Sequence, residues 1–167
     1  MGGTQESPIT YKYGARLGSF TPSDSVVSKY HGAGLQLGVF INAWQDYIGA
    51  LIEYNTYTHN HSENIFGIDL ASKLEIQSFW LSPLLRTSSS DKYIYGGIGP
   101  GLVFVNSFGK ANNIEVSGQD SFVGLQILLG VNIYHFGLLF KHSYATSNPC
   151  FGKVGYGGTS ILGTYIF

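Results

Sequence analysis

Apolar and polar residues alternate along most of this chain with a period of two, the spacing of a strand that shows different faces to different surroundings. The clearest run is Val123, Leu125, Ile127, Leu129, Val131 and Ile133 against Gly124, Gln126, Leu128, Gly130 and Asn132. A second sets Ala33, Leu35, Leu37, Val39 and Ile41 against Gly34, Gln36, Gly38, Phe40 and Asn42. The same reading gives a first strand from Tyr11 and a third with Ile48, Ala50, Ile52 and Tyr54 on one face. In the fifth, Tyr93 to Asn106, Ile94, Ile98, Leu102 and Phe104 oppose Gly97, Gly99 and Gly101, which points to a narrow interior. A seventh strand covers about Phe136 to Tyr144, and an eighth ends the chain. The fourth has no clean phase. Leu74 and Ile76 read as outward while Phe79 and Leu81 sit on the opposite parity, so a bulge is expected near Gln77-Ser78, with Pro83 near the strand end.

Turn chemistry divides these strands. Thr21-Pro22-Ser23-Asp24-Ser25 opens a loop to about His31, Thr58 to Asn64 and Phe108 to Asp120 read as polar loops, and Thr146 to Tyr156 is the last. Short turns fall at Ala43 to Asp46, Ser88 to Asp91 and Tyr134-His135. Eight antiparallel strands with alternating long and short connections describe an up-and-down barrel, and an even count puts both termini at one end. No longer repeat, low-complexity tract or linker divides residues 1–167, so a single domain is expected.

Composition decides what the barrel faces. Charged residues are 11% of the 167, under half the usual share of roughly 25%, while aromatics reach 15%. Too little charge is present to cover a soluble surface, yet no 18-residue apolar run offers a membrane helix. An all-β, eight-stranded transmembrane barrel satisfies both facts, since alternation hides its hydrophobicity from a sliding window. The net charge of −1 gives no nucleic-acid footprint, and one cysteine, Cys150, excludes an internal disulfide framework. Met1-Gly2-Gly3 lacks a basic start and an apolar core, so the chain reads as a mature form and export stays open.

The predicted lipid faces of strands one, two, three, five, six and eight carry no Lys, Arg, Asp or Glu. Charge is assigned to the interior: Lys12, Arg16, Glu53, Lys73, Glu75, Arg86 and Lys141. A soluble calyx would show the reverse sorting. These seven could line an aqueous path or form a closed ion-pair network, and eight strands leave an interior about filled by side chains, which favours the network. Tyr residues near strand ends suit interfacial girdles.

Two stretches, Gly14 to Asp24 and Asp91 to Gly101, together with the strand plan, resemble the small eight-stranded outer-membrane barrels, the class of OmpA's transmembrane domain, OmpX and OmpW. The ending Tyr165-Ile166-Phe167 resembles the assembly signal of such proteins, with Tyr165 and Phe167 on one face. The resemblance implies a bacterial outer-membrane location with periplasmic termini. It also implies contact with outer-membrane lipid and lipopolysaccharide, and recognition by the assembly machinery. The class contains channels, adhesins, anchors and a few lipid-modifying enzymes. Lipid A deacylases of the PagL type carry His-x-Ser on the seventh strand and a later Glu. Here His142 stands about where that histidine would, but the position two on is Tyr144, Ser143 faces the other way, and Gly152 to Ser160 holds no acid.

No catalytic residue, cofactor or metal site is assigned. His59 and His61 could share a face with Glu63 as metal ligands, though an exposed polar loop fits them better. Cys150 reads as a spectator thiol. The expectation is a non-enzymatic outer-membrane barrel with a structural, accessory or small-solute channel role. A lipid A deacylase is the alternative, and an adhesin binding a protein partner through its long loops is the second. The loop Asn106 to Asp120, with Lys110, Asn112, Asn113 and Glu115, is the largest exposed candidate for such a partner.

Overall fold

The computed structural model describes residues 8–145 and 155–167, apart from the side chain of Val26. Cys150 lies outside them. Eight strands close into an antiparallel barrel in which each pairs with its neighbours in sequence and β1 pairs with β8. They are β1 (Thr10–Pro22), β2 (Gly34–Gln45), β3 (Ile48–Ile65), β4 (Ile68–Arg86), β5 (Lys92–Ala111), β6 (Ile114–Ile133), β7 (Phe136–Ala145) and β8 (Gly158–Ile166). A short helix, α1 (Ser25–Tyr30), follows β1.

The alternation sorts as a membrane wall requires. Leu35, Leu37, Val39 and Ile41 on β2 face outward and exposed, as do Val123 through Ile133 at every second position of β6. On β6 this apolar run covers ten residue steps, about 34 Å of strand. A tilt of about 40° reduces that to about 26 Å along the barrel axis, the height of a lipid-facing band. Arginine at Ile127, near mid-height, is expected to cost about 2–4 kcal/mol of stability in lipid vesicles, and arginine at Ile133 on the rim no more than about 1 kcal/mol. Equal losses at the two positions would mean that this wall does not face lipid.

Two predicted loops are strands. Thr58 to Asn64 continues β3, and Phe108 to Asp120 holds the ends of β5 and β6. Both stretches are polar on both faces or weakly patterned, so their own sequence does not mark them; cross-strand pairing holds them extended. Their turns are tight. Phe66 and Gly67 take φ of 53° and 82°, as a type I′ turn demands, and Asn64 supports the turn by accepting the Gly67 N–H at 3.1 Å. Asn112, at φ 50°, turns β5 into β6. With β4, these strands form a four-stranded sheet, β3-β4-β5-β6, that stands beyond the apolar band as a crown opposite the termini.

The expected bulge at Gln77-Ser78 is absent, because the β3–β4 register is unbroken from Ile48↔Leu85 to Ile65↔Ile68. Leu74 and Ile76 face inward, not outward, and are buried. The parity never flips; the surroundings do. Above the band the interior is apolar and the outer face is wet, which inverts the sense of the pattern. Pro83 sits within β4, where the β4–β5 ladder is interrupted between Trp80↔Gly101 and Leu84↔Gly97, so its missing donor removes no ladder bond.

Candidate functional site: lumen and crown

The lumen is packed in layers. Nearest the termini, Phe40, Trp44, Leu51, Leu84, Tyr95 and Leu139 belong to one buried cluster. Glycines on neighbouring strands make room for its rings: a Cβ at Gly49 would strike Trp44, and one at Gly130 would strike Tyr95. Nearest the crown, Phe20, Tyr57, Leu74, Ile76, Trp80 and Val103 belong to a second cluster, and Val27 of α1 caps it.

A charge cluster lies between them. The Arg16 guanidinium donates to Glu53 Oε2, and Lys141 Nζ donates to Glu53 Oε1 at 2.9 Å. All three residues are at most 2% exposed. Arg16 also lies over the Phe40 ring, 4.2 Å from its centre. One carboxylate thus bridges two cations, and two apolar layers shut the set off from both ends. Above it a cavity of about 20 Å³, lined in part by Lys141, Ser143, Tyr57 and Trp80, holds no more than about one water molecule.

Of the seven predicted interior charges, Arg16, Glu53 and Lys141 meet at the centre. Arg86 and Lys12 face inward at the termini end. Arg86 Nε donates to the Asp46 carbonyl at 2.6 Å, and the guanidinium covers Trp44 and Tyr93. Lys12 pairs with Asp91 at 2.8 Å, and that hydrogen bond holds the Asp91 carboxyl below the usual carboxylate range. Lys73 and Glu75 do not line the lumen. They lie on the outer face of the crown, 3.8 Å apart, because β4 keeps its parity past the band and its odd positions there meet water.

The wall residues follow the same geometry. Tyr165 and Phe167 face outward at the β1–β8 seam, where Phe167 packs against Tyr13 and Tyr165. His142 faces outward with its Nδ1 3.0 Å from Thr159 Oγ1, while Ser143 points inside. The Ser and Glu partners that a deacylase histidine would need do not stand beside it among the described residues.

Sequence reasoning missed the crown's interior. Between α1 and the two hairpins lies a cleft of about 640 Å³, within the range of small-ligand sites. Val27, Ile65, Leu70, Leu74, Ile114 and Val116 line it, with His61, Glu63 and Lys110 at its margin. Ile114 and Val116 are 70% and 67% exposed although they lie outside the lipid band. The signal was present as alternation in Ile114-Glu115-Val116, but a polar-loop reading hid it. α1 also escaped notice: Asp24 caps it, accepting the Val27 N–H at 3.2 Å, and the other Asp24 carboxylate oxygen accepts the Gly155 N–H at 3.1 Å. His59 and His61 are joined by a third histidine, His31, which follows α1. Among the described residues no set of three His, Cys, Asp or Glu side chains is placed to hold a metal ion.

No family model matches the sequence, and no curated protein does. Solved structures do. Ail, the attachment invasion locus protein of Yersinia pestis, in complex with the heparin analogue sucrose octasulfate, matches 98% of this chain and 100% of its own with a TM-score of 0.58 at 16% identity. Neisserial surface protein A, NspA, matches 96% of this chain and 97% of its own with a TM-score of 0.58 at 12% identity. The fold is that of the small eight-stranded outer-membrane barrels. At these identities the likeness shows the fold alone.

Proposed function

We propose that this chain is a non-enzymatic outer-membrane barrel with periplasmic termini, which binds an apolar partner in its crown outside the cell. The carrying observation is the crown cleft, an apolar surface held open beyond the lipid band by two long hairpins. Exposed apolar area of this kind on a polar projection marks an interaction site. The lumen supports the reading from the other side. Among the described residues two packed clusters enclose Arg16, Glu53 and Lys141, which supports the loop-mediated alternative over a channel role. The band contacts outer-membrane lipid and lipopolysaccharide, and Tyr165 and Phe167 present the aromatic ending that assembly machinery would read.

Charge narrows the partner. Among the described residues the crown and α1 carry Lys29, Lys73 and Lys110 against Asp24, Glu63, Asp69, Glu75, Glu115 and Asp120. Lys110 is paired with Glu115 at 2.8 Å. A polyanion such as the one held by Ail would meet net negative charge here. The cleft suits a partner that offers apolar side chains or an alkyl chain.

Methyl NMR in nanodiscs tests this with sodium decanoate as the probe. Shifts gathered at Leu70, Leu74, Ile114 and Val116, and lost in Val116→Asp, are expected. Shifts confined to the lipid band would remove the cleft reading. Planar-bilayer recording of the same protein is expected to stay flat, and discrete current steps would restore the channel.

A further inference from the structure

We propose that His31, packed against His59 and beside His61, is a proton-operated latch that docks α1 on the crown at neutral pH and releases it on acidification. This regulates the cleft described above and rests on that reading for its purpose, though not for its chemistry. α1 and the residues after it supply one wall of the cleft through Val27, Tyr30 and His31. A helix of six residues has little stability alone, so its place depends on the buried Val27 and on what holds its ends. Asp24 holds the first end. At the second, the Tyr57 hydroxyl reaches the carbonyls of His31 and Gly32, at 3.1 and 2.8 Å, and the rest of the contact is made by rings.

The edge of His31 meets the His59 ring, with centres 5.8 Å apart and planes at 87°. His59 lies parallel to Tyr57, and His61 meets Tyr30 edge-on at 6.4 Å. The Nδ1 atoms of His31 and His59 are buried without a hydrogen-bond partner among the described residues. A second proton on His31 would place a cation against the His59 ring with no acceptor at hand among the described residues.

Among the described residues the surrounding charges do not relieve this. On β3, Glu63 lies 3.7 Å from His61 and serves that ring, while Tyr57 is a neutral phenol. α1 adds Lys29 beside Tyr30, a like charge. Lys110 and Glu115 at the hairpin margin pair with each other. Tyr156, from the segment before β8, adds another phenol to the cleft wall. Asp24 is committed to the opposite end of α1.

The sign follows. Burial and then the neighbouring histidines hold His31 below its ordinary range. The released state therefore binds more protons than the docked one below about pH 6.5, and above it protons no longer favour release. Each pH unit below that point raises the released-to-docked ratio by up to about tenfold, through the His31 proton, until its lowered docked value is passed.

Hydrogen exchange in nanodiscs, corrected for intrinsic rates, reads the latch without ligand. Protection of the amides of residues 27–33 is expected to fall at least about tenfold between pH 7.5 and pH 5.0, while the strands of the band keep theirs. His31→Gln with His59→Gln is expected to hold protection within about twofold across the same range, and retained band protection shows that the variant is folded. Tyr57→Phe should lower protection equally at both pH values. Flat protection in the parent protein overturns the latch, and so does an undiminished fall in the double variant. Either result leaves the decanoate experiment standing, and absent decanoate shifts at neutral pH leave the latch standing.

Discussion

Glu53→Ala is expected to cost about 3–5 kcal/mol, read as a lower midpoint for reversible urea unfolding in lipid vesicles. The loss is large because of what remains. Arg16 and Lys141 both point at this carboxylate, both are buried, and the packing around them leaves room for no more than about one water molecule, beside Lys141. Removing the acid leaves two cations facing each other in the barrel's centre. Replacing the whole set, with Arg16→Met, Glu53→Leu and Lys141→Met together, removes charge and desolvation cost at once and is expected to be neutral or stabilising by about 1–4 kcal/mol. The contrast separates an ion pair that contributes stability from one that only avoids a penalty. A Glu53→Ala midpoint equal to the parent's would mean that the cluster is solvated.

The band and its lumen were legible because each strand there has one lipid face and one protein face. Alternation in Leu35 to Ile41 or Val123 to Ile133 then reads directly as orientation, and Arg16, Glu53 and Lys141 fall inside by parity alone. The crown was not legible for the same reason. Past Tyr54 and Phe79 the outside becomes water and the inside becomes apolar, so Leu74 and Ile76 point inward and Lys73 and Glu75 outward along an unbroken strand. A pattern reader that expects one environment must invent a bulge to keep the faces consistent. The histidine cluster was half visible: His59 and His61 share a face by spacing, but His31 reaches them only because α1 folds back over the mouth. No local signal joins residues that far apart in the chain.

The packing of the lower lumen carries the other large expected effect, as a coupling between Tyr95 on β5 and Gly130 on β6. These residues are register partners, and Tyr95 is buried at 2% exposure. The three atoms nearest a Cβ at Gly130 all belong to the Tyr95 side chain, its Cε1 at 2.5 Å and its hydroxyl at 2.6 Å among them. Tyr95→Ala empties the space of an aromatic ring and is expected to lose about 3–5 kcal/mol. Gly130→Val adds bulk where the ring already sits and is expected to lose about 1–3 kcal/mol through displacement of Tyr95. In the double variant the valine enters the space the ring has left. The combined loss should therefore fall short of the sum by about 1–3 kcal/mol, the range of coupling seen between residues in contact. The same vesicle unfolding experiment reads all four proteins. Strict additivity would mean that the glycine is tolerated for its backbone rather than for the ring beside it. Coupling of the expected size would show that glycine opposite an aromatic ring is how this barrel closes its lumen, which is the condition for assigning its function to the crown.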